Sequence, residues 1–255
     1  MLSTANPQKE AQMETSPERK RFRSVLSSAL GFVLWSLGLL ILVIASWIVH
    51  SHPGPWPTEL AFSRWAQGLS LPSWLHAILV FVSTFNDPLP SGIALAVLMG
   101  FMLFNRWFRP ALFLGLLVLV GDSIDAIIGD LVGRPRPSPH LIHVSYSMDF
   151  NSFPSGHTEH IVIFYGFLLF LSFTKPVRQW RYAKWLIPLQ ILSFFDVLAI
   201  GFSRVLEGEH WPADVLAAYL SGLLWLTLFM YLYGLRWTRN DPGAWERAKL
   251  ATRGD

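Results

Sequence analysis

The chain has 255 residues, 52% of them hydrophobic and only 15% charged, with 12 Trp and 19 Phe. A soluble domain carries about 25% charged residues, so this balance excludes an ordinary soluble enzyme and points to one integral membrane domain. The pI of about 9.3 does not indicate nucleic acid, because the basic residues cluster between and beyond the apolar runs, where membrane orientation explains them. With no cysteine, the chain has no disulfide, no thiol nucleophile and no zinc–thiolate site.

Residues 1–28 are polar and include Lys9, Arg19, Lys20, Arg21 and Arg23. The first apolar run, 29–49, is long enough to cross a membrane and reads as a retained anchor. The stretch 56–86 reads as short interfacial or partly inserted helices. Further spans are expected at about 89–105, 109–131, 157–174, 185–204 and 212–235, followed by a polar tail over 237–255. The predicted fold is therefore an all-α polytopic bundle of six transmembrane helices, filling residues 29–236. Basic residues mark the amino-terminal segment, the 105–110 link, the 175–184 link and the tail. With six spans these four regions share one face, which the positive-inside rule assigns to the cytoplasm.

Three short motifs then fall together on the opposite face. They are Arg136-Pro137, Pro154-Ser155-Gly156-His157, and Ser203-Arg204 followed by His210 and Asp214. The set contains two arginines to hold an anion, two histidines to serve as nucleophile and acid, and a carboxylate to orient a histidine.

The ordered set resembles the type-2 phosphatidic acid phosphatase superfamily, membrane relatives of glucose-6-phosphatase and the vanadium haloperoxidases. That family reads Lys-x6-Arg-Pro, then Pro-Ser-Gly-His, then Ser-Arg-x5-His-x3-Asp. The last two blocks are present without change; the first departs, with Gly129 where the lysine is expected. The resemblance covers about residues 90–235. It implies hydrolysis of a phosphate or diphosphate monoester without a metal or other cofactor. His210 would attack phosphorus, Asp214 would fix its tautomer, and His157 would protonate the leaving group. Arg136, Arg204, Ser155 and Gly156 would hold the phosphate oxygens.

The missing lysine leaves the site one cation short. Arg134, two residues before Arg136 in a proline-rich extended stretch, is the candidate substitute. Asp122, Asp125, Asp130 and Asp196 read as polar residues for helix packing, with a proton relay as the lesser reading. Glu159, His160, Glu207 and Glu209 have no recognised metal-ligand spacing. The expected partner is a membrane lipid, in the class of phosphatidate, phosphatidylglycerol phosphate or polyprenyl diphosphate. The expected site is a cell membrane, plasma or inner, with both termini cytoplasmic and the active site outside. Two alternatives stay open: a lipid phosphotransferase on the same scaffold, and a non-catalytic membrane protein that binds lipid phosphate.

Overall fold

The computed structural model describes residues 17–146 and 150–239. It divides into two units, residues 1–43 and 44–255. Every regular element among the described residues is helical: α1 Pro17–Ser51, α2 Pro57–Gln67, α3 Ser73–Phe85, α4 Pro88–Phe104, α5 Phe108–Val132, α6 Gly156–Ser172, α7 Ile187–Leu206 and α8 Pro212–Arg239. Two 3₁₀ turns, Val177–Gln179 and Ala183–Leu186, lead into α7. The polar tails expected over 1–28 and 237–255 are described only from residue 17 and up to residue 239, and the rest of both lies outside the described residues.

Proline sets several starts. Pro57 and Pro88 open α2 and α4, and Pro212 opens α8, where a fixed φ suits the first helical position and no N–H is needed.

Among the described residues, four helical stretches are long and apolar enough to cross a membrane: Ala29–Ser51, Phe108–Val132, Ala183–Leu206 and Pro212–Gly234. A fifth candidate is the pair α3–α4, which passes only when taken together and is bent by 69° at residues 86–87. The stretch expected to lie at the interface thus contributes α3 to a broken helix. The remaining expected span, α6, has 17 residues. At about 1.5 Å per residue it is shorter than a hydrocarbon core of about 30 Å. It is also the central helix of residues 44–255, packed against α5, α7 and α8. Its buried residues Glu159, Ile161, Val162, Ile163, Phe164 and Phe167 face in several directions, as expected of a helix enclosed by protein.

Lipid tails are as apolar as leucine, so helices in a membrane gain from close backbone approach. Gly222 of α8 shows this against α6: a Cβ there would meet Val162 Cβ at 2.8 Å. The core around α6 includes Leu114 and Leu117 of α5, Ile200 of α7 and Phe229 of α8. Large apolar side chains such as Leu119, Leu131, Phe194, Phe195 and Leu216 are exposed on the outer faces, the distribution a lipid-facing surface requires.

The loop from α7 to α8 turns through Gly208, at φ +68°. A Cβ at that position would lie 1.9 Å from the His143 carbonyl oxygen, so only glycine fits. Gln67 of α2 bridges the same region, donating to His143 O at 2.8 Å and Leu206 O at 3.1 Å. These contacts tie the 133–155 segment to the end of α7.

Candidate active site

The three motif blocks meet. Ser155 N–H donates to the Asp214 carbonyl at 3.2 Å, Arg136 Nη1 donates to the Glu209 carbonyl at 3.1 Å, and the His210 ring reaches the Ser152 carbonyl. Arg136, Gly156, His157, Arg204 and Glu209 line a cavity of about 1210 Å³, together with Asp87, Asp122, Asp125 and His160.

His210 is completely buried in the short link between α7 and α8. Its Nδ1 lies 2.7 Å from the Ser152 carbonyl oxygen. A carbonyl can only accept, so Nδ1 carries the hydrogen and Nε2 carries the lone pair. Nε2 has no hydrogen-bond partner. Burial, and then the positive charges of Arg136 and Arg204, push the pKa of this histidine well below its ordinary value. The ring is therefore neutral, in the tautomer that a nucleophilic Nε2 requires.

This corrects one expectation. Asp214 Oδ2 is 3.9 Å from His210 Nδ1, too long for a hydrogen bond. The backbone carbonyl of Ser152, and not Asp214, holds the tautomer. Asp214 is fully buried and accepts from Ser152 Oγ at 2.5 Å, Trp211 N–H at 2.9 Å and Arg134 Nη1 at 2.5 Å. It acts on His210 through Ser152, which touches both.

Arg134 departs furthest from expectation. Its side chain is 0% exposed and does not line the cavity. One nitrogen donates to Asp214, the other to Glu59 Oε2 at 2.6 Å, and the guanidinium lies 5.1 Å over the Trp56 ring. The two carboxylates raise its pKa despite burial. A guanidinium fork fits two carboxylates better than it fits open water, so Arg134 is drawn to Asp214 and Glu59 and away from the cavity. Alternation along an extended strand did not place it beside Arg136, whose Nε instead donates to the Phe150 carbonyl at 3.0 Å.

Arg204 ends α7. It is 1% exposed, lines the cavity and bonds to Ser83 Oγ and the Glu209 carboxylate, leaving Nε without a partner. Ser155 is buried, with its hydroxyl 3.0 Å from Thr158 Oγ1 and its N–H taken by Asp214, so neither group faces the cavity as the phosphate role required. Gly156 does line it; a Cβ there would come within 3.0 Å of Asp125 Oδ2. Gly129 has only ordinary clearance, with Phe153 O 3.5 Å from an added Cβ.

His157 opens α6 and bonds through Nε2 to Asp87 Oδ1 at 3.0 Å. His160 pairs with Asp122 at 3.1 Å, and Glu207 lies 3.8 Å from His76. Glu59, Ser83, Asp87 and Ser152 are the site residues that sequence spacing did not point to. The signal available for three of them was polarity itself, a Glu, a Ser and an Asp set in apolar stretches.

A family model for the PAP2 superfamily matches residues 107–238. The chain belongs to the PAP2 superfamily. Within it, the chain is 33% identical over 111 residues to a Bacillus licheniformis protein named bacitracin transport permease protein BcrC, covering 42% of this chain and 47% of that one. It is 24% identical over 156 residues to an undecaprenyl-diphosphatase of Sulfolobus acidocaldarius, covering 58% and 66%. The chain thus spans about half to two thirds of these relatives' own length. The crystal structure of a PAP2-type phosphatidylglycerolphosphate phosphatase from Bacillus subtilis shares the fold, with a TM-score of 0.64 at 21% identity over 78% of this chain and 94% of that one.

Proposed function

We infer that this PAP2 protein is a membrane-embedded phosphatase that hydrolyses a lipid phosphate or diphosphate through a phosphohistidine on His210. The observation that carries the reading is the buried His210 ring, with Nδ1 committed to the Ser152 carbonyl and Nε2 unpartnered. Arg136 and Arg204, which both line the cavity, supply positive charge for the equatorial oxygens. That charge does the work a cation would otherwise do, so the reaction needs no metal.

The chemistry proceeds in two halves. Nε2 attacks phosphorus, and the bond to the leaving oxygen breaks with its electron pair on oxygen. His157 gives that oxygen a proton. Water then attacks the phosphohistidine while His157 takes a proton back, releasing phosphate and restoring neutral His210. Gly156 lets backbone approach the phosphoryl group at the start of α6.

The undecaprenyl-diphosphatase relative supports a polyprenyl diphosphate as substrate. Sidedness follows from charge. With α6 and the bent α3–α4 pair each counted as one span, six spans put the basic links and both termini in the cytoplasm and the cavity outside.

The test is phosphate release by the purified protein in detergent plus chelator, across phosphatidate, phosphatidylglycerol phosphate and undecaprenyl diphosphate, with and without an acceptor lipid. Release that His210→Ala abolishes is expected. Undiminished release by His210→Ala, or none by the wild type on any of the three, overturns the reading. Transfer to the acceptor in place of release would make the protein a phosphotransferase.

A further inference from the structure

We propose that Asp87 is the positioning partner of His157, holding the ring through Nε2 so that Nδ1 passes the proton to the leaving oxygen. The proposal rests on the phosphatase reading above and adds to it a residue from outside the three motifs.

Asp87 sits at the corner between α3 and α4, immediately before Pro88. Aspartate at that position ordinarily caps the helix, accepting from the second or third N–H. Here the segment is Asp87-Pro88-Leu89-Pro90, so the third helical residue has no N–H to offer. No cap bond from the side chain forms. The carboxylate turns instead to His157 Nε2, at 3.0 Å, on the wall of the cavity.

The corner is held in place by four further contacts. Asn86 donates to Val82 O at 2.7 Å and to Asp196 Oδ2 at 3.2 Å. Ser203 Oγ donates to Leu79 O at 2.7 Å, and Ser83 Oγ accepts from Arg204. Asp87 is thus fastened to α7, the helix that carries Arg204, and cannot drift from its histidine without disturbing that anchor.

The electrostatics give the contact a purpose. His157 shares the cavity wall with Arg136 and Arg204, and positive neighbours disfavour a proton on the ring. A general acid must hold that proton when substrate is bound. A carboxylate on the far nitrogen supplies the compensating charge and fixes the ring plane, as second-layer carboxylates do for other working histidines. In the reaction, the P–O bond electrons go to the leaving oxygen and the Nδ1 proton goes with them. The ring is left neutral, with Nε2–H still donating to Asp87.

A general acid matters most when the leaving oxygen is strongly basic. The experiment compares kcat/KM of wild type and Asp87→Asn on two probes in the same detergent. One is dioleoyl phosphatidate, whose leaving group is an alkoxide. The other is p-nitrophenyl phosphate, whose leaving group departs without help. Asp87→Asn keeps the shape of the side chain and removes its charge. The expected result is a loss of about 10- to 100-fold on phosphatidate, part of the general-acid contribution, with less than about 3-fold on p-nitrophenyl phosphate. Equal losses on both probes would mean that Asp87 merely supports the fold, and no loss on either would mean that it does nothing for His157; both overturn the proposal.

A second measurement is independent of turnover. Carbethoxylation of His157 by diethyl pyrocarbonate, followed by peptide mass spectrometry, should be several-fold faster in Asp87→Asn than in wild type, because the reagent takes only the neutral ring and the lost carboxylate no longer favours the protonated one. Unchanged labelling of His157 in Asp87→Asn would refute the contact. Failure of the functional reading is a separate outcome, seen when the wild type hydrolyses neither probe while the labelling difference persists.

Discussion

Replacing Arg134 with Ala tests the most unexpected feature of the site. In the native protein one guanidinium satisfies Asp214 Oδ1 at 2.5 Å and Glu59 at 2.6 and 3.2 Å, with both carboxylates almost wholly buried. Removing it leaves two buried negative charges facing each other. Breaking a buried pair by deleting one partner costs about 3–5 kcal/mol. The lower end applies here, because each carboxylate keeps two other donors: Ser152 Oγ and Trp211 N–H for Asp214, Trp56 N–H and Ala213 N–H for Glu59. About 3 kcal/mol lowers the midpoint by roughly 6–12 °C in a chain of this size. Thermal unfolding in detergent, followed by intrinsic Trp fluorescence, reads the shift. Arg134→Lys should fall between, since one ammonium cannot span both carboxylates as a fork does. Gly129→Lys should not restore the midpoint of Arg134→Ala. An Arg134→Ala protein with an unchanged midpoint and a raised KM for phosphate substrates would refute this reasoning and put Arg134 on the phosphate.

Asp214→Asn should reduce kcat/KM by less than the about 10⁴-fold seen when the tautomer-setting carboxylate of a triad is lost, because the Ser152 carbonyl still holds His210; steady-state kinetics on the best lipid substrate decides it. His210 has a depressed pKa in the folded protein, so below the ordinary histidine value of about 6.5 the unfolded chain binds a proton that the native state does not. Stability should therefore fall as pH drops below about 6.5, and His210→Gln should flatten that slope in a pH series of melting curves. The chain has no cysteine, so single Cys residues report topology without background: one near His140 or Glu207 should react with an impermeant thiol reagent on intact cells, and one near Gln179 should not.

Long apolar runs announced most of the helices. The stretch expected at 109–131 is α5, Phe108–Val132, and the first apolar run lies within α1, Pro17–Ser51. Motif order likewise pointed to residues that do converge, because local spacing around Pro154 and Arg204 is a short-range property. What spacing could not express were bonds across long sequence separations. Glu59 reaches Arg134 over 75 residues, and Asp87 reaches His157 over 70. Neither partner carries a local mark of the pairing. The bend at residues 86–87 was hidden for a related reason: the run at 89–105 reads as a span by itself, and the packing of α3 against α7, between segments far apart in sequence, leaves no local mark. Arg134 was misplaced because a rule about side-chain direction ignored where a guanidinium finds its counter-charges.

The family match begins at residue 107, whereas Glu59, Ser83 and Asp87 all lie before it. The motif-bearing half is thus braced by a half that carries no motif. Chimaeras that exchange residues 44–106 between superfamily members would keep every recognised catalytic position and still inherit different acid strength at the second histidine and different rigidity beneath the first. Diversity of substrate preference within such a superfamily can then arise in helices that no motif search inspects, with the reacting residues left untouched.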